Sequence, residues 1–354
     1  MKTVKAGIAA AALAGCMFAS SAAQAQSPTT LSFNWEGAYG RANILVWPFR
    51  PGGRYETLVT QHTNGSVKLD IKEKLFGIMD SAYAIGDGRV QMGTQSIPAA
   101  SGTYPLLDFG GIPGLFSAMP EGAVEYAAAL TDPKMMAEVD AYTKSAGFKV
   151  LGAAISLANN ALWGNKPIRT LADFKGVKMR ASGRTQTAAL RAVGGSPVTL
   201  SMAEIEEALS RGTVDAIMTS KSFGAERGLM PMAKYVSVWP ITPIFAQFVA
   251  INLKAWDKLD ARQKDGLMRA SAQLTREFPV ALEQMDISYT LWIRSAKTEL
   301  VIPDDAEVKR AMAQMQPVVK DWLETAGPHG KAVLRIAAQH AKGPSAEVIR
   351  GMAK

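Results

Sequence analysis

The 354-residue chain has a single cysteine, Cys16, so it can hold no internal disulfide and no cysteine-built zinc cluster. Histidine is almost as scarce. His62, His329 and His340 lie far apart, and none forms a local ligand pair of the HExxH kind, so nothing points to a zinc enzyme. Beyond the N-terminus no apolar run reaches the roughly 20 residues a helix needs to cross a bilayer. Long basic runs are missing too, and basic residues do not interleave with aromatics. That removes the nucleic-acid reading which the formal charge of +8 would invite; a basic balance suits small anions better. There is no nucleophile elbow and no glycine-rich phosphate loop. At 48% hydrophobic and 20% charged residues, the composition is that of an ordinary globular protein and excludes disorder. The length exceeds one ordinary core, so two domains or one unusually large domain are expected.

The first segment reads as a leader. Lys2 and Lys5 precede an apolar run from Ala6 to Ala19, and Ala23-Gln24-Ala25 then forms an A-x-A cleavage site. Residues 1–25 are therefore expected to be a signal peptide, and the protein a soluble periplasmic one. Leu13-Ala14-Gly15-Cys16 offers an alternative, a lipobox that would anchor the protein through Cys16.

Strand-like and helix-like segments alternate, which predicts an α/β fold with mostly parallel sheets. Leu31–Phe33, Val67–Ile71, Val90–Gly93 and Phe148–Ser156 read as strands, and Met79–Gly86 as a helix. The stretch from Ile97 to Pro120, with four prolines, reads as loop with short strand pieces. Glu121–Ala146 reads as helix interrupted near Pro133. The segment 165–220 is the clearest. Thr170 caps a short helix; Val177–Arg180, Pro197–Leu200 and Val214–Met218 are strands. Thr185–Val193 is a helix, and Ser201-Met202-Ala203-Glu204 is a capping box that opens another. That is a βαβαβ unit. Tyr235–Trp239 and Phe245–Asn252 follow as strands, and Ala255 to about Arg294 as a long helical region able to span two domains. A short strand ends at Ile302-Pro303, and helices over Asp305–Ala326 and Lys331–Lys342 close the chain.

The middle of the chain resembles the substrate-binding proteins of tripartite ATP-independent periplasmic (TRAP) transporters, the DctP-like family. The resemblance rests on Lys166-Pro167-Ile168, the run from Leu171 to Arg180, Gly194-Gly195-Ser196-Pro197-Val198, Glu204 with Ala208-Leu209, and Gly212-Thr213-Val214-Asp215. It implies a two-domain periplasmic binding protein-like fold (type II-like), with an interdomain ligand cleft and a long domain-spanning helix. Lobe I is expected over 26–160 plus about 245–286, and lobe II over 161–244 plus about 287–345. It also implies a receptor for a small organic acid, delivered to a membrane permease, and no enzyme.

Arg180 matches the family's arginine that holds the ligand carboxylate. Chemistry agrees: arginine stays charged, and its planar fork fits two carboxylate oxygens. Met202 matches a position that lines the pocket, with ordinary packing at a helix start as the plain alternative. Thr219 falls where some relatives have an asparagine, and Thr219 and Ser220 each offer a hydroxyl to a polar ligand group. Met218 replaces a glutamate that in some relatives helps hold a metal, which puts such a metal in doubt. Lys166 lies where sugar-acid receptors place a second arginine. Trp35, Tyr39, Trp163, Phe223, Trp239 and Phe245 fall at strand ends or in adjoining loops, where aromatics would favour an aromatic or branched acid. Core packing is the alternative for most of them, and Trp292 and Trp322 are expected to be packing residues. Gln95 is a further candidate polar contact. Two rival readings remain: an exported enzyme on the same scaffold, and a receptor that signals through a sensor instead of a transporter.

Overall fold

The computed structural model of the protein describes residues 27–35, 47–158, 161–200, 204–242 and 244–353. The expected leader with Cys16, and also Tyr39 and Met202, lie outside the described residues.

Two sheets organise the molecule. The first contains β1 (Thr29–Trp35), β2 (Val67–Glu73), β3 (Met92–Ser96), β4 (Phe148–Ala158) and β10 (Ile244–Asn252), in the order β2-β1-β3-β10-β4. The second contains β5 (Ala161–Gly164), β6 (Lys178–Ala181), β7 (Ser196–Thr199), β8 (Ala216–Thr219), β9 (Tyr235–Val238) and β11 (Glu299–Val301), in the order β11-β9-β5-β8-β6-β7. Most neighbours are parallel, as expected. The exceptions are β10, antiparallel to β3 and β4, and β5, antiparallel to β8 and β9. Both follow a passage between the sheets, β4 into β5 and β9 into β10. A chain that leaves one sheet at its C-terminal edge and enters the other at the facing edge must run against the strands already there.

Local chemistry explains the elements. In β2, Val67, Leu69 and Ile71 are buried while Lys68 and Asp70 are exposed, the period-two pattern of a strand with one face on a core. The βαβαβ unit forms as read: β6 is parallel to both β7 and β8. Thr170 and Asp173 make a reciprocal capping box on a single 3-10 turn, Leu171–Phe174. Glu204 is itself the N-cap of the helix Ile205–Ser210 and makes no side-chain cap bond; Ser201 lies outside the described residues. The proline-rich stretch holds no strand. Pro98 and Pro105 sit in the first turns of a short helix (Ile97–Ala100) and a 3-10 turn (Pro105–Gly111), where a fixed φ helps and a missing N–H costs nothing. Pro133 likewise starts a helix, Pro133–Thr143, capped by Asp132, instead of interrupting one. Met315 and Pro317 divide the expected Asp305–Ala326 helix into Asp305–Gln314 and Gln316–Ala326.

The second sheet carries a core on each face. Trp163 and Ile217 face Ile205, Leu209 and Phe223; Met179, Ala181 and Met218 face Ala189, Leu190 and Trp239. The long helix is Ala261–Ser295, opened by a capping box of Asp260 and Gln263 and continuing through Pro279. At 1.5 Å per residue it is about 52 Å long. It packs on β4 and the helices Arg54–His62 and Glu121–Leu130 of the first sheet, and on the helix Lys221–Glu226 and β11 of the second. Trp292, expected in packing, is 46% exposed on this helix, whereas Trp322 is buried and donates its indole N–H to the carbonyl of Pro105 at 2.9 Å. The helix Gly330–His340 packs against Glu121–Leu130 and Pro133–Thr143. His340 bonds Asp132 at 3.0 Å and His329 bonds Glu138 at 2.7 Å, so the end of the chain returns to the first sheet's layer. No helix of the described residues is long and apolar enough to cross a membrane.

Candidate ligand-binding site

Arg180 is the second-last residue of β6 and is only 3% exposed. Its Nε donates to the carbonyl of Leu200 at 3.3 Å and its Nη1 to the carbonyl of Met218 at 3.4 Å. Two main-chain dipoles from the ends of neighbouring strands thus orient the guanidinium. Burial weakens the dielectric around it and strengthens any anion contact. Arg180 pairs in register with Ile217. Thr219, two residues further along β8, therefore lies on the same face as Arg180. Thr219 is buried.

Ser220 follows the strand and caps the helix Lys221–Glu226, its hydroxyl accepting from the Phe223 N–H at 2.9 Å and lying 3.0 Å from Ser222 Oγ. Trp163 donates its indole N–H to the Ser220 carbonyl at 3.2 Å. Lys221, nearly buried, reaches Asp286 (2.7 Å) and Thr290 (2.8 Å) on the long helix. Tyr289 of that helix donates to Glu226, whose carboxyl burial raises above its ordinary range. The junction that carries Thr219 and Ser220 is thus fixed from two sides.

From the first sheet, Trp35 ends β1 and Phe245 begins β10, both at the edge where β3 ends. Both are largely buried, and the Trp35 indole N–H has no hydrogen-bond partner among the described residues. The two edges meet. Pro98, just beyond β3, lies so close to Gly183, just beyond β6, that a Cβ on Gly183 would stand 2.3 Å from the Pro98 carbonyl oxygen. Ser101 Oγ accepts from the Arg184 N–H at 3.0 Å, and the Arg184 guanidinium reaches Asp321 at 3.1 Å. An open groove of about 470 Å³ runs beside this seam, between Pro98–Gly102 and Ser182–Arg191.

The structure brings Arg180, Thr219 and Ser220 together and sets Trp35 and Phe245 on the facing edge. Three expected contacts do not join them. Lys166 is exposed and follows β5, whose end pairs with the start of β8; the antiparallel direction carries it to the opposite edge of the sheet. Gln95 sits at the right edge, but its amide is committed inward. It accepts from Ala82 N–H at 2.8 Å and donates to the carbonyls of Ile78 (2.7 Å) and Ser96 (2.9 Å). Trp163 is wholly buried and supports Ser220 from beneath. Phe223 and Trp239 are core residues; Trp239 meets Phe174 edge-on at 4.9 Å and donates to the Ile168 carbonyl. Sequence reading missed Asp108, Thr185 and Lys221. A lone acid inside Leu106-Leu107-Asp108-Phe109 was the available signal for a buried carboxylate.

The model of the DctP family, bacterial extracellular solute-binding protein family 7, matches residues 54–325. The C4-dicarboxylate-binding periplasmic protein DctP of Rhodobacter capsulatus is 26% identical over 246 residues, 65% of this chain and 70% of that one. A solute-binding protein of Albidiferax ferrireducens is 25% identical over 256 residues, covering 71% and 74%. Among solved structures, DctP7 of Bordetella pertussis, an extracytoplasmic solute receptor binding pyroglutamic acid, superposes with a TM-score of 0.74 at 22% identity, covering 87% of this chain and 99% of that one. A TRAP periplasmic solute-binding protein of Bordetella bronchiseptica with bound mandelate gives 0.74 at 20% identity, covering 88% and 99%. With two sheets joined by antiparallel crossing strands, a 35-residue helix along both, and a family match over most of its length, this chain belongs to the DctP family of bacterial extracellular solute-binding proteins, the receptors of TRAP transporters.

Proposed function

We propose that the protein captures a small organic acid between its two lobes and presents it to the membrane subunits of a TRAP transporter. The observation that carries this reading is the buried guanidinium of Arg180 at the end of β6, oriented by the carbonyls of Leu200 and Met218. It takes the carboxylate as a fork. Thr219, on the same face, offers a hydroxyl to a polar group of the acid. Trp35 and Phe245 supply apolar cover from the facing edge, and the indole N–H of Trp35, without a partner among the described residues, suits a second acceptor on the ligand. Aromatic cover favours a flat, branched or aromatic acid over a plain dicarboxylate; the bound mandelate and pyroglutamate of structural relatives are compact acids of that sort. The protein acts as a receptor, without chemical turnover.

The lobes divide along the sheets: 26–160 with about 245–286, and 161–244 with about 287–326. The residues from about 330 onward go with the first lobe, because they pack on its helices. Export through the leader places the protein outside the cytoplasm, and the intact mass of the mature protein separates cleavage after Ala25 from lipidation at Cys16.

A thermal-shift screen against compact organic acids, pyroglutamate and mandelate included, tests the reading. A ligand at about 100 times its Kd adds about 2.7 kcal/mol of stability. Esters and amides of each hit should give no shift. Equal stabilisation by the neutral derivatives would remove the role of Arg180, and no hit in the class would remove the function.

A further inference from the structure

A second buried polar cluster lies at the seam between the sheets. Asp108, in the turn Pro105–Gly111 of the first lobe, is 4% exposed. Its hydrogen-bonding neighbour is the Thr185 hydroxyl, in the first turn of the helix Arg184–Ala192 of the second lobe. Asp108, Thr185 and Gln186 line one cavity with Pro98, Gly111 and Thr242, of about 10 Å³, the lower limit for one water. Gln186 is 3% exposed. Its Oε1 accepts from Ser182, but its Nε2 has no partner among the described residues. The buried hydroxyl of Tyr126, which the charge of Asp108 disfavours ionising, has none among them either.

The charges around Asp108 are poorly matched. From the helix Glu121–Leu130 it faces Tyr126, whose hydroxyl burial keeps neutral; Glu125 of that helix is turned to Ser117 and the Lys342 N–H. From the helix Arg184–Ala192 it faces neutral Thr185 and Gln186, since Arg184 is turned to Asp321 and Thr325. From the segment between β9 and β10 it faces neutral Thr242. Among the described residues no charged group stabilises the carboxylate, and the second lobe helps shield it from water.

We propose that Asp108 is a proton-binding site at the lobe seam: bringing the lobes together takes a proton onto its carboxyl, and moving them apart hydrates the carboxylate and releases it. Burial pushes its pKa up to about 7, while the Thr185 hydroxyl opposes the rise. A hydrated carboxylate titrates near 4. The joined lobes therefore hold the proton more tightly, and acid favours closure. This rests on the two-lobed closing motion proposed above and on no particular ligand.

Small-angle scattering of the unliganded protein from about pH 5.5 to about 8.5 tests it, across the window set by burial. The wild-type radius of gyration should grow as pH rises. Asp108→Asn should stay compact throughout. Thr185→Val, which removes the group opposing the rise, should shift the transition to higher pH, an effect that a purely structural role would not produce. A flat wild-type profile, or a wild-type transition retained in Asp108→Asn, overturns the proposal. If Asp108→Asn does not fold, Thr185→Val decides, and an unmoved midpoint overturns it. Because no ligand is present, failure here leaves the thermal-shift result for organic acids standing, and the reverse also holds.

Discussion

The indole of Trp163 lies directly against the Cα of Gly224: a Cβ at that position would sit 2.2 Å from the ring. Only a residue without a side chain lets the helix Lys221–Glu226 approach the ring this closely, and that approach lets the Trp163 N–H reach the Ser220 carbonyl. Gly224→Ala should force the ring aside and break this bond. Overpacking costs about 1–3 kcal/mol. Denaturant unfolding should report a loss in that range, and ligand affinity should fall with it because Thr219 and Ser220 lose their support.

Arg180→Ala and Arg180→Lys should both weaken organic-acid binding while the protein stays folded. A charge-assisted hydrogen bond is worth about 1.5–3 kcal/mol, or roughly 10- to 150-fold in Kd. Lysine restores the charge without the planar fork, so it should recover only part of the loss. Calorimetric titration with a hit from the screen, alongside circular dichroism, checks this; full affinity in Arg180→Lys would show that charge alone suffices.

Lys221 and Asp286 form an ion pair at 2.7 Å, with side chains 10% and 24% exposed. Removing one partner leaves the other charge largely buried. A fully buried pair broken in this way costs about 3–5 kcal/mol, and the remaining exposure of Asp286 reduces that figure. Lys221→Met should therefore lower the unfolding midpoint in urea clearly, and Lys221→Met combined with Asp286→Leu should recover much of the loss. A double variant no better than the single one would point to packing instead of charge.

The raised pKa of Asp108 also fixes a direction for stability. Its folded value is about 7, above the carboxylate's ordinary value of 3.8, so the folded protein binds the proton more tightly than the unfolded chain. Stability from this group is present in full below the unfolded value and is lost as pH rises through about 7. Asp108→Asn should remove the loss. Its unfolding temperature should exceed that of the wild type at alkaline pH and converge with it in acid. Parallel profiles for the two proteins would dismiss the burial argument.

The βαβαβ unit from β6 to β8 was legible because each part carries its own signal: Thr170 with Asp173 at a helix start, alternating apolar strands, and glycines with positive φ at Gly176, Gly194 and Gly212 where turns are needed. Arg180 is singled out only through resemblance; nothing in Lys178-Met179-Arg180 says that the third side chain is buried. Direction was not legible at all. Lys166 reads as a neighbour of the site until β5 is seen to run against β8, which no local pattern encodes. Gln95 failed differently. It stands at the correct edge, but the carbonyls of Ile78 and of its neighbour Ser96 claim its amide, and a polar side chain carries no mark of which way it will turn. Trp292 shows the converse: a large aromatic on a long helix was expected inside and lies half in water.

The placement of β10 between β3 and β4 bears on how the molecule can be divided. A break near residue 200 would strip the first sheet of its inner strand and the second of β8, β9 and β11. Neither fragment would hold a complete sheet. The ligand receptor should therefore be produced and assembled only as one uninterrupted polypeptide, and separately expressed halves should remain inert unless they reunite.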